Sequence, residues 1–122
     1  MAKLLVIDDS PDVAQLISEM LRREGYEVEV SFDGRQAIDM IGSGQEFDVI
    51  LTDLIMPELD GVGLIHQLRE MKNETPVLVL SGGGVTINSS DALKSVEGLA
   101  TDVLQKPVKY EELLEKVRSV LS

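Results

Sequence analysis

The chain has 122 residues, 22 of them acidic and 11 basic, a formal charge of −11, and no cysteine. That length predicts a single domain, residues 1–122, able to bury about two-thirds of the surface its unfolded chain exposes; the missing cysteines exclude disulfides, thiolate metal sites and thiol nucleophiles together. The acidic balance argues against direct nucleic-acid binding. No apolar run can span a bilayer, and Met-Ala-Lys is not a signal-peptide start, so a cytoplasmic protein without membrane insertion is expected. The acids cluster: residues 1–60 hold 14 acids and 4 bases, residues 61–122 hold 8 and 7.

In chain order, Leu4 to Ile7 is a continuously apolar run, as a strand covered on both faces should be. A helix follows, with Ser10 as N-cap, Pro11 at its first position, a stripe of Val13, Leu16, Ile17, Met20 and Leu21, and Gly25 as its stop. Val28 to Ser31 is the second strand, and Ala37, Ile38 and Ile41 mark a second helix opened by Asp33. Val49 to Thr52 is the third strand, followed by a helix with Leu64, Ile65, Leu68 and Met71 behind Asp60. Val77 to Leu80 is the fourth strand. Residues 82–99 carry Gly82-Gly83-Gly84 and Asn88-Ser89-Ser90, which disfavour a helix interior, so a helix of about two turns around Leu93 and Val96 with a mobile entry is expected. Asp102 to Gln105 is the fifth strand, and Leu113, Leu114, Val117, Val120 and Leu121 form the stripe of a fifth helix.

Strand and helix alternating in this way predict an α/β fold, a doubly wound parallel sheet with helices on both faces, whose site lies at the carboxyl ends of the strands where the strand order reverses. Those ends carry Asp8-Asp9, Asp53, Ser81 and Lys106-Pro107. Three carboxylates crowded on one rim repel each other. A hard divalent cation relieves this, and an oxygen-only donor set selects Mg2+ or Mn2+ over zinc. Alone, Asp9 or Ser10 reads as a helix cap and Ser81 as a turn hydroxyl; their coincidence at strand ends is the signal.

With Leu4-Leu5-Val6-Ile7-Asp8-Asp9, the stretch Asp53-Leu54-Ile55-Met56-Pro57-Glu58-Leu59-Asp60-Gly61, Val79-Leu80-Ser81 and Lys106-Pro107, the chain resembles the receiver domain of two-component response regulators over residues 3–121. The resemblance implies a flavodoxin-like five-stranded sheet in the order 2-1-3-4-5. It makes Asp53 the phosphoacceptor, and Asp8, Asp9, Asp53 and the Ile55 backbone carbonyl the Mg2+ ligands, with Mn2+ as a substitute. It pairs Lys106 with the phosphoryl group, turns the Ser81 hydroxyl toward it beside the Gly82 amide, and places a cis bond before Pro107. The implied partners are a sensor histidine kinase or histidine phosphotransfer protein, and a downstream protein target or a second copy bound through the surface of the fourth and fifth expected helices. The implied chemistry is the chain's own phosphorylation and dephosphorylation rather than turnover of a separate substrate. No DNA-binding segment follows Ser122, so output by protein contact or phosphate relay is expected.

The chain departs from that family in three places. Val103 stands where an aromatic usually precedes the lysine by three residues, the run from Ser81 to Lys106 is a few residues longer than usual, and Leu99 replaces a common glycine. Two rival readings fit the sequence less well. A phosphorylation-independent interaction module of the same fold would not need the complete acid set and Lys106. A flavin-binding protein of similar topology would want more rings than two Tyr and two Phe. Asp53 followed by Leu54-Ile55 lacks the second aspartate of haloacid-dehalogenase-type phosphatases. His66 reads as a helix-surface residue, Arg22-Arg23 as a solvated helix end, and Met20, Met40, Met56 and Met71 as core or partly buried packing.

Overall fold

The apolar runs become strands and the striped segments helices. The computed structural model describes residues 2–53, 61–81 and 101–121. Its elements are β1 (Lys3–Ile7), α1 (Pro11–Arg23), β2 (Glu27–Ser31), α2 (Gly34–Gly42), β3 (Val49–Asp53), α3 (Gly61–Glu70), β4 (Val77–Ser81), β5 (Asp102–Gln105) and α4 (Tyr110–Leu121), the last being the fifth helix expected from the sequence. The expected helix within 82–99, the triple glycine, Leu99, Asp60, Met56 and Ile55 lie outside the described residues.

All pairings are parallel and the order is β2-β1-β3-β4-β5, as expected. Right-handed crossovers make the direction of travel decide the face on which a helix lands. The chain steps one way from β1 to β2 and the other way afterwards. Accordingly α1 and α4 share one face, where Ala14, Ile17, Leu21, Leu113 and Val117 pack on Leu4, Val6, Leu51 and Leu80. α2 and α3 share the other, where Ala37, Ile41, Leu64 and Leu68 pack on Leu5, Ile7, Ile50 and Val79. Period-two alternation sends neighbouring residues of one strand to opposite cores, which is why β1, β3 and β4 read as unbroken apolar runs. Edge strand β2 instead alternates, with Glu27 and Glu29 exposed. Charges there discourage pairing with another chain. The reversal of strand order falls between β1 and β3, and the first and third carboxylate positions flank it.

Helix ends follow one pattern. After α1, the Gly25 amide donates to the Arg22 carbonyl and the Tyr26 amide to that of Leu21, with Gly25 at φ +93. The same pair of bonds closes α2 at Gly44 and α3 at Lys72, a non-glycine residue at φ 60. This is the doubly bonded C-terminal cap that favours glycine. At the N-terminus of α2, the Asp33 carboxylate accepts the Gln36 amide at 2.7 Å, as expected of a cap.

Several expectations need correction. Ser10 occupies the N-cap position of α1, but its side chain makes no capping bond. β3 and β4 run one residue past the expected apolar runs and end in Asp53 and Ser81, as the strand-end reading has it, paired with Leu80 and Gln105. The ladder therefore holds both backbones. Leu16 is 53% exposed and Met71 44%, so neither belongs to the core. The Arg22 guanidinium donates to the Val28 carbonyl at 2.8 Å, tying the end of α1 to β2 rather than being merely solvated. His66 is exposed on α3, and Met20 and Met40 are partly buried, as read from the sequence.

Candidate functional site

Four strands, β1, β3, β4 and β5, deliver their last residue or the next to the same rim. Asp8 follows β1 and has no exposed surface. Its amide continues the ladder to the Ser31 carbonyl at 3.1 Å. One carboxylate oxygen, Oδ1, accepts the Ser10 amide at 2.9 Å and the other, Oδ2, accepts Lys106 Nζ at 2.7 Å. The amide at the α1 entry therefore serves Asp8.

Lys106 follows β5. Its amide donates to the Ser81 carbonyl at 2.7 Å, extending the β4–β5 pairing by one bond. The peptide bond from Lys106 to Pro107 is cis, as the resemblance implied. The lysine stem runs back across the rim so that Nζ meets Asp53 Oδ2 at 3.1 Å as well as Asp8. Desolvation pushes the ammonium pKa down, but the hydrogen bond to Asp8 and the charge of Asp53 outweigh it and hold it above the ordinary lysine value. Lys106 is therefore a cation at any physiological pH.

Asp53 ends β3 with its side chain mostly covered, and the Thr52 hydroxyl beneath it donates to the Asp53 carbonyl at 3.0 Å. Thr52 is wholly buried, and the sequence reading missed it because a threonine in an apolar strand reads simply as a strand former. Asp9 is exposed and makes no hydrogen bond or ion pair among the described residues. Ser81, nearly buried, stands at the end of β4 on the same rim. Ile55 lies outside the described residues.

One oxygen each from Asp8, Asp9 and Asp53 all lie within 4.8 Å of one another. Mg2+ takes oxygens at about 2.0–2.1 Å in an octahedron, which puts opposite ligands roughly 4.2 Å apart. The three oxygens are close enough to draw in around one such ion, and their oxygen-only chemistry suits a hard cation. Charge points the same way. Three carboxylates and one ammonium leave −2 on four side chains, the deficit a divalent ion cancels.

Beside Lys106 the surface turns apolar. Val13, Leu16 and Ile17 of α1 and Pro107 and Val108 of the β5–α4 connection line, with the Lys106 stem, a depression of about 130 Å3. The helical spacing reads Leu16 as a core position; only the gap between α1 and that connection leaves it open.

The model of the response regulator receiver domain family matches residues 4–118. The response regulator MprA of Mycolicibacterium vanbaalenii is 36% identical over 119 residues, covering 98% of this chain and 50% of that protein, and MprA of Mycobacterium avium gives the same figures. This chain thus spans about half the length of those relatives. Among solved structures, the receiver domain of Francisella response regulator 1452 superposes with a TM-score of 0.84 at 36% identity, covering 99% of this chain and 97% of that one. The chemotaxis response regulator CheY4 of Vibrio cholerae gives 0.83 at 36% identity, covering 99% of each chain.

Proposed function

The chain belongs to the response regulator receiver domain family, and on that premise we propose that it is a Mg2+-dependent phosphoacceptor of two-component or phosphorelay signalling, phosphorylated on Asp53. The observation that carries this reading is the single ammonium of Lys106 held between Asp8 and Asp53 at the rim where three carboxylates meet.

A deprotonated Asp53 oxygen attacks phosphorus in line. The P–N bond to the donor's histidine breaks, and its electron pair returns to the imidazole; with an acyl phosphate donor, the P–O bond breaks and a carboxylate leaves. Such a transition state is loose and needs positioning and charge neutralisation more than covalent help. Position comes from the ladder that fixes Asp53. Lys106 supplies positive charge to a phosphoryl oxygen, and the Ser81 hydroxyl donates to another. Asp8, Asp9, Asp53 and the Ile55 carbonyl would hold a cation, which would supply the remaining neutralisation. Losing a preorganised donor such as Lys106 costs about 10²-fold in rate. Hydrolysis is the same chemistry with water as acceptor, so the only reactions assigned to the chain are its own phosphorylation and dephosphorylation.

The donor is a sensor histidine kinase or histidine phosphotransfer protein of the cytoplasm, to which Leu16 and Pro107 beside the reacting centre offer an apolar contact. The product adds about −1.5 to −2 of charge and new acceptor oxygens. A downstream protein, or a second copy meeting the β5 and α4 side of the fold, senses that change. No described helix is long and apolar enough to cross a membrane.

The test is intact mass after incubation with acetyl phosphate, with Mg2+ or with EDTA. One phosphoryl group gained only with Mg2+, and absent from Asp53→Asn, is expected. An adduct that persists in Asp53→Asn, or no Mg2+ binding by the protein at all, would refute the reading.

A further inference from the structure

β2 is the outermost strand of the sheet, and its backbone alternates in direction. The Glu27 amide donates to the Ala2 carbonyl and the Ser31 carbonyl accepts the Asp8 amide, so residues 27, 29 and 31 turn toward β1. Val28 and Val30 therefore turn their N–H and C=O groups outward. Both ends of this outer row are already engaged. The Arg22 guanidinium donates to the Val28 carbonyl at 2.8 Å, and the Phe32 amide donates to the Gln36 side-chain oxygen at 3.1 Å. Between them, the Val28 N–H and both backbone groups of Val30 have no partner among the described residues.

The side chains along this row sort by face. Glu27 and Glu29 are exposed on one face and form no ion pair among the described residues. On the other face Val30 is partly exposed, and the row ends at Phe32, 42% exposed. A second copy's β2 would set glutamates against glutamates, which disfavours pairing of like with like. A strand carrying bases two residues apart matches the same two glutamates, since both strands rise about 3.3 Å per residue.

We infer that the outer edge of β2 is a docking site for an extended basic segment of another protein, which adds to the sheet as a sixth strand with Lys or Arg opposite Glu27 and Glu29 and apolar residues alternating between them. Backbone bonds to Val28 and Val30 supply affinity, and the alternating side chains supply selectivity. Val30, with both groups open, can exchange two bonds with one residue of an antiparallel partner. The acidic row thus turns away a copy of itself and accepts its charge complement. The inference is independent of the phosphoacceptor reading, because β2 gives no side chain to the carboxylate rim.

The probe is a synthetic six-residue peptide of alternating Lys and Val, blocked at both ends, titrated into the 15N-labelled protein. The Val28 and Val30 amides should shift and become protected from exchange, while the Glu29 amide, which faces β1, keeps its protection. Two further peptides test the wild type: one N-methylated at its edge-facing amides, and one with Glu in place of Lys. Neither should bind. The double variant Glu27→Lys with Glu29→Lys should weaken the Lys peptide at least about tenfold and take up the Glu peptide, as two cross-strand pairs changing sign imply. Binding that survives N-methylation, protection that leaves out Val28 and Val30, a wild type that takes the Glu peptide equally well, or no shift at about 1 mM Lys peptide overturns the inference. The peptide controls use the wild type, so the outcome does not depend on how well the double variant folds.

Discussion

Asp9→Asn should stabilise the metal-free protein. Asp9 lies within 4.8 Å of both Asp8 and Asp53, oxygen to oxygen, and meets no base among the described residues. Two charges at that distance repel by about 0.9 kcal/mol in the dielectric of water, and physiological salt roughly halves this. Two such pairs leave about 1 kcal/mol, a lower bound because burial of Asp8 reduces the local dielectric. Against it stands the charge of Asp9 just ahead of the α1 N-terminus, a favourable term of about 0.3–1 kcal/mol that the amide gives up. The net expectation is a gain of about 0.5 kcal/mol, or roughly 2 °C in Tm for a domain of this size. Thermal and urea melts in EDTA measure it. The gain should shrink in 1 M salt, where exposed charges are screened. In Mg2+ the ranking should reverse, since at ten times Kd the ion adds about 1.4 kcal/mol to the protein that binds it. A variant no more stable than wild type in EDTA, or one whose advantage persists in Mg2+, would refute the account of the triad as a repulsive cluster that a cation relieves.

Three further expectations follow from other residues. Lys72→Gly should stabilise the fold by about 0.5–1 kcal/mol in urea titrations, because Lys72 holds at φ 60 the capping position that glycine fills after α1 and α2. Leu16→Asp should lower phosphotransfer from a partner kinase at least about tenfold, the scale of an interface anchor lost, while acetyl phosphate still labels Asp53 at an unchanged rate; loss of both would place Leu16 in folding instead. Asp102 is held below the ordinary aspartate value by its hydrogen bond to Lys116 and by the Val103 amide. Its folded pKa being depressed, its contribution is present above the unfolded value and is lost as pH falls through the folded one. Asp102→Asn should therefore cost about 0.5 kcal/mol or less at pH 7, as exposed pairs do, and nothing at pH 2 in acid titrations of stability.

The sequence by itself determined the alternation of strand and helix, the burial of β1, β3 and β4 on both faces, and the strand ends where Asp8, Asp9, Asp53, Ser81 and Lys106 would gather. Those are local properties, because runs of Leu, Ile and Val, helical stripes and a residue's place at the end of a run are all written in neighbouring positions. Tertiary structure decided everything that depends on two segments meeting. Lys106 is 98 residues from Asp8 in the chain, and only the adjacency of β1, β3 and β4, with β5 beyond, brings its ammonium to Asp8 more closely than to Asp53. Leu16 has the spacing of a core residue, and only the opening between α1 and the β5–α4 connection exposes it. Asp8 and Asp9 are neighbours of identical chemistry; the pleat at the end of β1 buries one and leaves the other in water. That difference gives one carboxylate to the lysine and leaves the other in water, and no pattern in the sequence distinguishes them.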